Sequence, residues 1–98
     1  MSRTNWVYIL TNAHHTVLYV GSTSNLMERA TAHGLRDGSK FARKYNCDKL
    51  VWWEEFPDFE SAYAFEHKLK RWRRAWKEEL ISKANPEWKC LDVPFVWN

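Results

Sequence analysis

The chain has 98 residues, a formal net charge of +3 and a hydrophobic fraction of 45%, which is typical of one globular domain and excludes a disordered chain. Its longest run of aliphatic and aromatic residues covers only residues 6–10, far short of the roughly 20 residues that span a membrane. Two cysteines are too few for a disulfide scaffold, which indicates reduced thiols and a cytoplasmic protein. Aromatic residues make up 16% of the chain and include seven tryptophans, so we expect some of them at a working surface.

The first predicted elements are two strands joined by a polar turn. Residues 6–10 and 16–20 are rich in β-branched and aromatic side chains, and the polar residues 11–15 between them favour a hairpin. Because side chains alternate along a strand, we expect two sets that each share a face: Trp6, Tyr8 and Leu10 on the first strand, and Val17 and Tyr19 on the second.

A helix is predicted next, from about residue 26 to residue 33, because turn and capping residues precede it and Gly34 follows it. The later predicted elements are a polar loop over 34–48, a third strand over 50–55, a helix over 59–70, a break near 71–73 and a last helix to residue 84. Trp52 and Trp53 are neighbours in the third strand and must face opposite sides of the sheet.

This order, β-β-α-β-α-α, predicts an α+β fold in which a small three-stranded antiparallel sheet is flanked by three helices. A single domain spans residues 1–98, with its core over about 5–91 and a short C-terminal tail over 92–98.

Two polar side chains of the first predicted helix lie one turn apart. Arg29 and His33 flank the apolar side of this helix, where they are able to grip a phosphate. The alternative is an exposed arginine and a histidine that interacts favourably with the C-terminal end of the helix dipole.

An acidic residue falls within the apolar side of the next helix. Phe59, Ala62, Tyr63 and Leu69 cluster at helical spacing, and Glu66 falls between Ala62 and Leu69. A carboxylate directed at a core needs an arginine, a set of donors or a metal ion as partner. A buried Glu–Arg pair and a metal or catalytic role both remain open.

Five short motifs follow one another along residues 5–91. They are Val7-Tyr8-Ile9, Tyr19-Val20-Gly21, residues 21–33 with Arg29 and His33, residues 59–66 ending in Glu66, and residues 68–77 followed by 84–88. Together they resemble the GIY-YIG nuclease family, and especially its small stand-alone members. Val7 stands where the family has Gly, and Val20 where it has Ile, whereas the tyrosines, Arg, His, Glu and Asn of the pattern are present.

The resemblance implies hydrolysis of DNA phosphodiesters with one divalent cation, Mg²⁺ or Mn²⁺. Glu66 would hold this cation. Since a single carboxylate projects toward the site, a two-metal mechanism is disfavoured. Arg29 would stabilise the negative charge that develops on the phosphate oxygens.

The resemblance also gives expectations for the proton-transfer groups. Tyr8 or Tyr19 would orient or deprotonate the attacking water, with Tyr8 favoured as the base. Core packing with a hydrogen-bonded hydroxyl is the commoner role of a strand tyrosine and is the alternative. His33 would assist proton transfer or bind phosphate. Asn85 would stabilise the site or serve as a helix C-cap.

Basic residues suggest where a nucleic acid would bind. Residues 61–83 carry seven basic and three acidic side chains. The candidate nucleic-acid contacts are Lys40, Arg43, Lys44, Lys70, Arg71, Arg73 and Arg74. Trp72 and Trp76, one helical turn apart, would stack on unpaired bases if exposed, but we favour core packing for both.

The sequence therefore predicts a metal-dependent DNA endonuclease, structure-selective or nonspecific, because no second domain is available to read a groove. We expect DNA as the partner, with a possible protein partner for targeting, no membrane and no organic cofactor. The alternatives are a non-catalytic nucleic-acid-binding module with the same fold and, less favoured, a basic helix that binds an acidic protein.

Overall fold

The computed structural model describes residues 4–26, 47 and 49–91. The elements in this part of the chain are β1 (Asn5–Thr11), β2 (Leu18–Thr23), β3 (Lys49–Phe56), α1 (Phe59–Arg71) and α2 (Arg74–Ala84). The strands form one antiparallel sheet in the order β2-β1-β3, which confirms the α+β prediction. Two of the three predicted helices are described. Of the helix predicted over residues 26–33, only Leu26 belongs to the described part of the chain.

The sheet has two apolar faces because β1 is buried along its whole length between its two neighbours. One, the tyrosine face, holds both predicted sets together: Trp6, Tyr8 and Leu10 of the first strand with Val17 and Tyr19 of the hairpin's second half. The other, the helix face, joins the sheet to the two helices through Val7, Ile9, Val20, Ala62, Leu69 and Ile81. Full burial of each leucine or isoleucine there contributes about 1.5–3 kcal/mol to stability.

A β-bulge interrupts the regular alternation of β3. Ile9 pairs with Trp52 and Leu10 pairs with Leu50, so Val51 is an extra residue between them. As a result Val51 and Trp52 both face the helices, while Trp53 packs on the tyrosine face. The prediction that Trp52 and Trp53 face opposite sides is confirmed.

Helix α1 begins where Asp58 caps it. The Asp58 carboxylate accepts a hydrogen bond of 2.7 Å from the backbone N–H of Ser61, and this bond lowers the pKa of Asp58. The predicted break is confirmed, because α1 ends at Arg71 and α2 starts at Arg74. Neither of these two described helices has the length and apolarity to cross a membrane.

The apolar side of α1 differs from the prediction in two positions. Ala62 and Leu69 are buried as expected, but Phe59 and Tyr63 are 62% and 49% exposed. The helix rests on the sheet along the line of Ala62, Phe65 and Leu69, and the side chains one row further round its surface therefore face solvent.

The hairpin turn, residues 12–17, is fixed by side chains that bond to backbone. The Asn12 carbonyl oxygen Oδ1 accepts hydrogen bonds from the N–H groups of Thr16 and Val17, at 2.8 and 3.2 Å. His15 has a left-handed backbone with φ of 58°, and its Nε2 lies 2.9 Å from Lys49 Nζ at the start of β3. The turn is thereby tied to the third strand.

Candidate active site

The two tyrosines predicted at the site meet on the tyrosine face of the hairpin. Tyr8 pairs with Gly21 across the β1–β2 ladder, and its ring lies 6.4 Å from that of Tyr19 at an angle of 47°. A methyl group on Gly21 would lie 2.6 Å from the Tyr8 hydroxyl oxygen and 2.7 Å from its Cζ. The glycine of the second motif is therefore what lets the Tyr8 phenol cross β2.

The carboxylate predicted at the site lies against β2 from the opposite face of the sheet. Glu66, with a side chain only 12% exposed, accepts a hydrogen bond of 2.5 Å at Oε1 from the Ser22 hydroxyl. Its Oε2 forms an ion pair of 2.7 Å with Lys70 Nζ, one turn later on α1. The largely buried carboxylate thus has the donors that the sequence required, and among described residues its cationic partner is a lysine.

The Gly21–Ser22 segment of β2 is therefore the point where Tyr8 and Glu66 converge. The Tyr8 phenol covers Gly21 on one face, and Glu66 binds Ser22 on the other. Sequence reasoning missed Ser22, although the two-residue period puts it on the same face as Val20, toward the helices. Both oxygens of Glu66 bind side chains, Ser22 and the half-exposed Lys70, and neither of these two partners is a backbone group.

Asn85 lies at the other edge of the sheet. Its amide nitrogen donates hydrogen bonds to the carbonyl oxygens of Val51 (3.1 Å) and Lys89 (2.9 Å), and its Oδ1 accepts one from the Lys89 N–H (3.1 Å). It is also the C-cap residue of α2. The amide therefore pins the bulge of β3 to the chain after α2, and β1 separates it from Ser22.

The basic residues of the 68–77 segment divide among several surfaces. The Arg74 guanidinium donates to the carbonyl oxygens of His15 (2.7 Å) and Thr16 (2.9 Å) and forms an ion pair with Glu78. Lys77 Nζ donates to the Lys70 carbonyl oxygen at 3.4 Å. Burial and then the charge of Arg74 lower the pKa of Lys77.

The remaining cations of this segment are open to solvent. Lys70 and Arg71 are exposed on α1, and the Arg73 guanidinium lies 5.5 Å from the centre of the Trp76 ring. Trp76 is 52% exposed, whereas Trp72 packs at the border of the helix face. The preference for core packing is thus confirmed for Trp72 and wrong for Trp76, because the first turn of α2 carries Trp76 past the edge of the core.

Five predicted site residues lie outside the described part of the chain. They are the predicted catalytic residues Arg29 and His33 and the predicted nucleic-acid contacts Lys40, Arg43 and Lys44. Their roles stay predictions.

Comparison with known proteins extends over most of the chain. A family model described as the GIY-YIG catalytic domain matches residues 4–79. A UPF0213 protein of Natronomonas pharaonis is 35% identical over 82 residues, which cover 84% of this chain and 95% of that protein. A UPF0213 protein of Clostridium perfringens is 38% identical over 78 residues, or 80% of this chain and 83% of that protein.

A solved structure shares the same architecture. The solution NMR structure of a UPF0213 protein from Bacillus halodurans matches with a TM-score of 0.57 and 29% sequence identity. The match covers 88% of this chain and 90% of that one.

Proposed function

The chain belongs to the GIY-YIG nuclease family, and from this premise we propose that it is a metal-dependent DNA endonuclease of structure-selective or nonspecific type. The observation that carries the proposal is the Glu66 carboxylate, which is directed at β2 within an otherwise apolar side of α1 and is bound by the Ser22 hydroxyl. A carboxylate placed there costs stability relative to an apolar residue, so its presence points to chemistry.

The donor set around Glu66 fits one Mg²⁺ or Mn²⁺. In the described part of the chain no three His, Cys, Asp or Glu side chains cluster to form a closed metal site. Glu66, beside the Ser22 hydroxyl, would supply hard oxygen ligands to Mg²⁺ and leave room for water and substrate phosphate. The bound ion would supply Lewis-acid stabilisation of the phosphate charge.

The protein groups have distinct parts in the proposed reaction. Glu66 would hold the ion once the Lys70 side chain turns away from it. The compact ammonium group of Lys70 would then bind the phosphate backbone of the DNA. Tyr8, supported by Tyr19, would orient or deprotonate the attacking water. Arg29 would stabilise the developing negative charge.

Two more predicted residues would support these groups. His33 would assist proton transfer or bind phosphate. The hydrogen bonds of Asn85 favour a supporting role for it, through the bulge of β3, over contact with the reacting phosphate.

One observation favours a second candidate, a non-catalytic nucleic-acid-binding module. Lys70 already neutralises Glu66 across 2.7 Å, and a cation that stays in place would exclude a metal ion from that carboxylate. The two candidates make opposite predictions for metal-dependent cleavage.

The test is cleavage of plasmid and branched DNA with Mg²⁺ or Mn²⁺ by the wild type and by Glu66→Gln. We expect the substitution to lower the rate about a thousandfold, since it removes the charge that holds the ion, an effect of several kcal/mol on the transition state. Glu60→Gln is the matched control, because Glu60 is exposed on the same helix, and it should cut normally.

The outcomes separate the candidates. Equal cutting by the wild type and Glu66→Gln would exclude Glu66 as the metal ligand. DNA binding that weakens steeply with salt, with no cutting of any substrate by the wild type, would establish the binding module instead.

A further inference from the structure

An exposed row of rings runs along α1. We call Phe59, Tyr63 and His67 the α1 ladder. The Phe59 and Tyr63 rings stack with centroids 5.6 Å apart and an angle of 28°, and the Tyr63 and His67 rings lie 4.1 Å apart. Spacing of four residues puts all three on one side of the helix. Phe59 and Tyr63 are 62% and 49% exposed, so the core does not account for them.

The α1 ladder lies beside the carboxylate of the proposed active site. Tyr63 precedes Glu66 by three residues, which places the two side chains as neighbours on the helix surface, about 4.5 Å apart along its axis. Lys70, the ion-pair partner of Glu66, follows Tyr63 by seven residues, two turns along the same side.

A groove with basic residues continues from the ladder on its far side. It has a volume of about 540 Å³ and is lined by Tyr63, Ala64, His67, Lys68, Arg71 and Trp72. Lys68 and Arg71 are exposed. Aromatic rings and cations therefore lie side by side along α1, from Tyr63 to the end of the helix.

We propose that the α1 ladder and its groove bind unpaired nucleobases of a DNA strand whose backbone passes Glu66. This inference rests on the proposed function and names its substrate class, which is DNA with a single-stranded segment next to the cut. Each base presents a flat face to an aromatic ring, and the neighbouring phosphates match Lys68 and Arg71. Paired bases in a duplex are already stacked on one another and do not offer their faces to the ladder.

Charge favours this occupant over a second copy of the chain. The half of α1 that contains Tyr63 and His67 ends in Lys68, Lys70 and Arg71, and the whole 61–83 region has a basic surplus. A polyanion neutralises these charges on binding, whereas an identical chain brings more of them.

The experiment measures fluorescence anisotropy of a labelled oligothymidylate and of a duplex of equal length, both in EDTA. We expect Tyr63→Leu to weaken binding of the single strand about fivefold to a hundredfold and to leave duplex binding unchanged. Tyr63→Phe is the matched control, since it keeps the ring and should bind as the wild type does. Circular dichroism checks that each variant is folded.

Three results would overturn the inference. One is equal loss by Tyr63→Leu and Tyr63→Phe, and another is unchanged single-strand binding by Tyr63→Leu. The third is a wild-type dimer in sedimentation velocity that Tyr63→Leu dissociates, because the ladder would then bind a second copy.

The result is independent of the proposed cleavage because EDTA removes the metal ion. Ring-dependent binding without any cutting would defeat the endonuclease proposal and keep the ladder. Metal-dependent cutting with ring-independent binding would support the endonuclease proposal and overturn the role of the α1 ladder.

Discussion

The two ends of strand β2 hold charged side chains by opposite means. At the site end, Glu66 binds two side chains, the Ser22 hydroxyl and the half-exposed Lys70. At the turn end, the Arg74 guanidinium, besides its ion pair with Glu78, binds the backbone carbonyl oxygens of His15 and Thr16. Side-chain partners can rotate away and be replaced by a ligand, whereas backbone partners are fixed by the fold. The site end is therefore suited to exchange and the turn end to stability.

The same comparison assigns the basic residues of the 68–77 segment to two different places in the structure. Lys70 and Arg74 are four residues apart, yet the break between α1 and α2 sends them to different ends of the hairpin. A count of positive charges in the sequence treats them as one surface. The structure favours a folding role for Arg74 and leaves Lys70 and Arg71 as the better candidates for contact with DNA.

The largest effect is expected at the site end, from Gly21→Ala. An alanine in a strand is normally more favourable than a glycine, but here its methyl group would press on the phenol of Tyr8, which is only 4% exposed and has little room to move. We expect a loss of about 1–3 kcal/mol in the free energy of unfolding, measured by urea denaturation, together with slower DNA cleavage.

The double variant Gly21→Ala/Tyr8→Ala isolates that contact. If the phenol causes the penalty, the second substitution removes it, and the two changes are strongly non-additive. Additive penalties would show that Gly21 is needed for some other reason.

A smaller effect is expected at the turn end, from Arg74→Ala. The substitution removes solvent-exposed hydrogen bonds to the carbonyl oxygens of His15 and Thr16. It should lower the free energy of unfolding by about 1 kcal/mol, measured by urea denaturation, while DNA affinity stays close to that of the wild type. Arg71→Ala is the matched variant, because Arg71 is exposed and lines the groove on α1. It should weaken DNA binding severalfold, more so at low salt, and leave stability unchanged.

The opposite pattern would end the distinction between the two ends. If Arg74→Ala weakened DNA binding as much as Arg71→Ala and did not change stability, the basic run would be one binding surface after all.

The smallest effect concerns pH at the turn end. Burial, then the charge of Lys49 and then that of His14 lower the pKa of His15, whose Nε2 accepts a hydrogen bond from the Lys49 ammonium. Below about pH 6.5 the unfolded chain binds a proton at this histidine more readily than the folded one, so stability falls as pH decreases. We expect a slightly lower Tm at about pH 5.5 than at about pH 7.5.

His15→Gln should reduce this pH dependence, because glutamine keeps an acceptor for Lys49 but does not titrate. The pKa of Asp58 is lowered as well, but its contribution is lost only below about pH 4 and does not overlap with that of His15. An unchanged slope in His15→Gln would assign the pH dependence to other groups.

Much of the fold could be predicted because its signals are local. The two-residue period correctly grouped Tyr8 with Trp6 and Leu10, grouped Tyr19 with Val17, and separated Trp52 from Trp53. The change in pattern after Arg71 located the break between the helices.

What the sequence did not reveal depends on contacts between distant residues. The bulge at Val51 exists only in the pairing of β3 with β1, and the exposure of Phe59 depends on which line of α1 touches the sheet. Apolar residues recur along a helix at the same spacing whether a sheet or a ligand covers them.

The candidate site was predictable in part for the same reason. Glu66 was found because a carboxylate interrupts an apolar side of a helix, which is a local signal. Its partner Ser22 lies 44 residues away in sequence. The basic run around Lys70 predicts a contact with nucleic acid and gives no sign that Lys70 is the counter-ion of Glu66. The role of Arg74 at the turn likewise depends on distant partners, since Thr16 and His15 precede it by 58 and 59 positions in the sequence.

The bulge of β3 has a consequence for the solubility of the protein. Among the described strands β3 lies at an edge of the sheet, and an unprotected edge is a template on which other chains add strands and aggregate. Here the bulge distorts the edge, and the N–H of Leu91 donates a 2.7 Å hydrogen bond to the carbonyl oxygen of Leu50. Asn85 holds the adjoining chain in place by its bond to Val51. The segment that follows α2 thus shields the β3 edge against the growth of intermolecular β-structure.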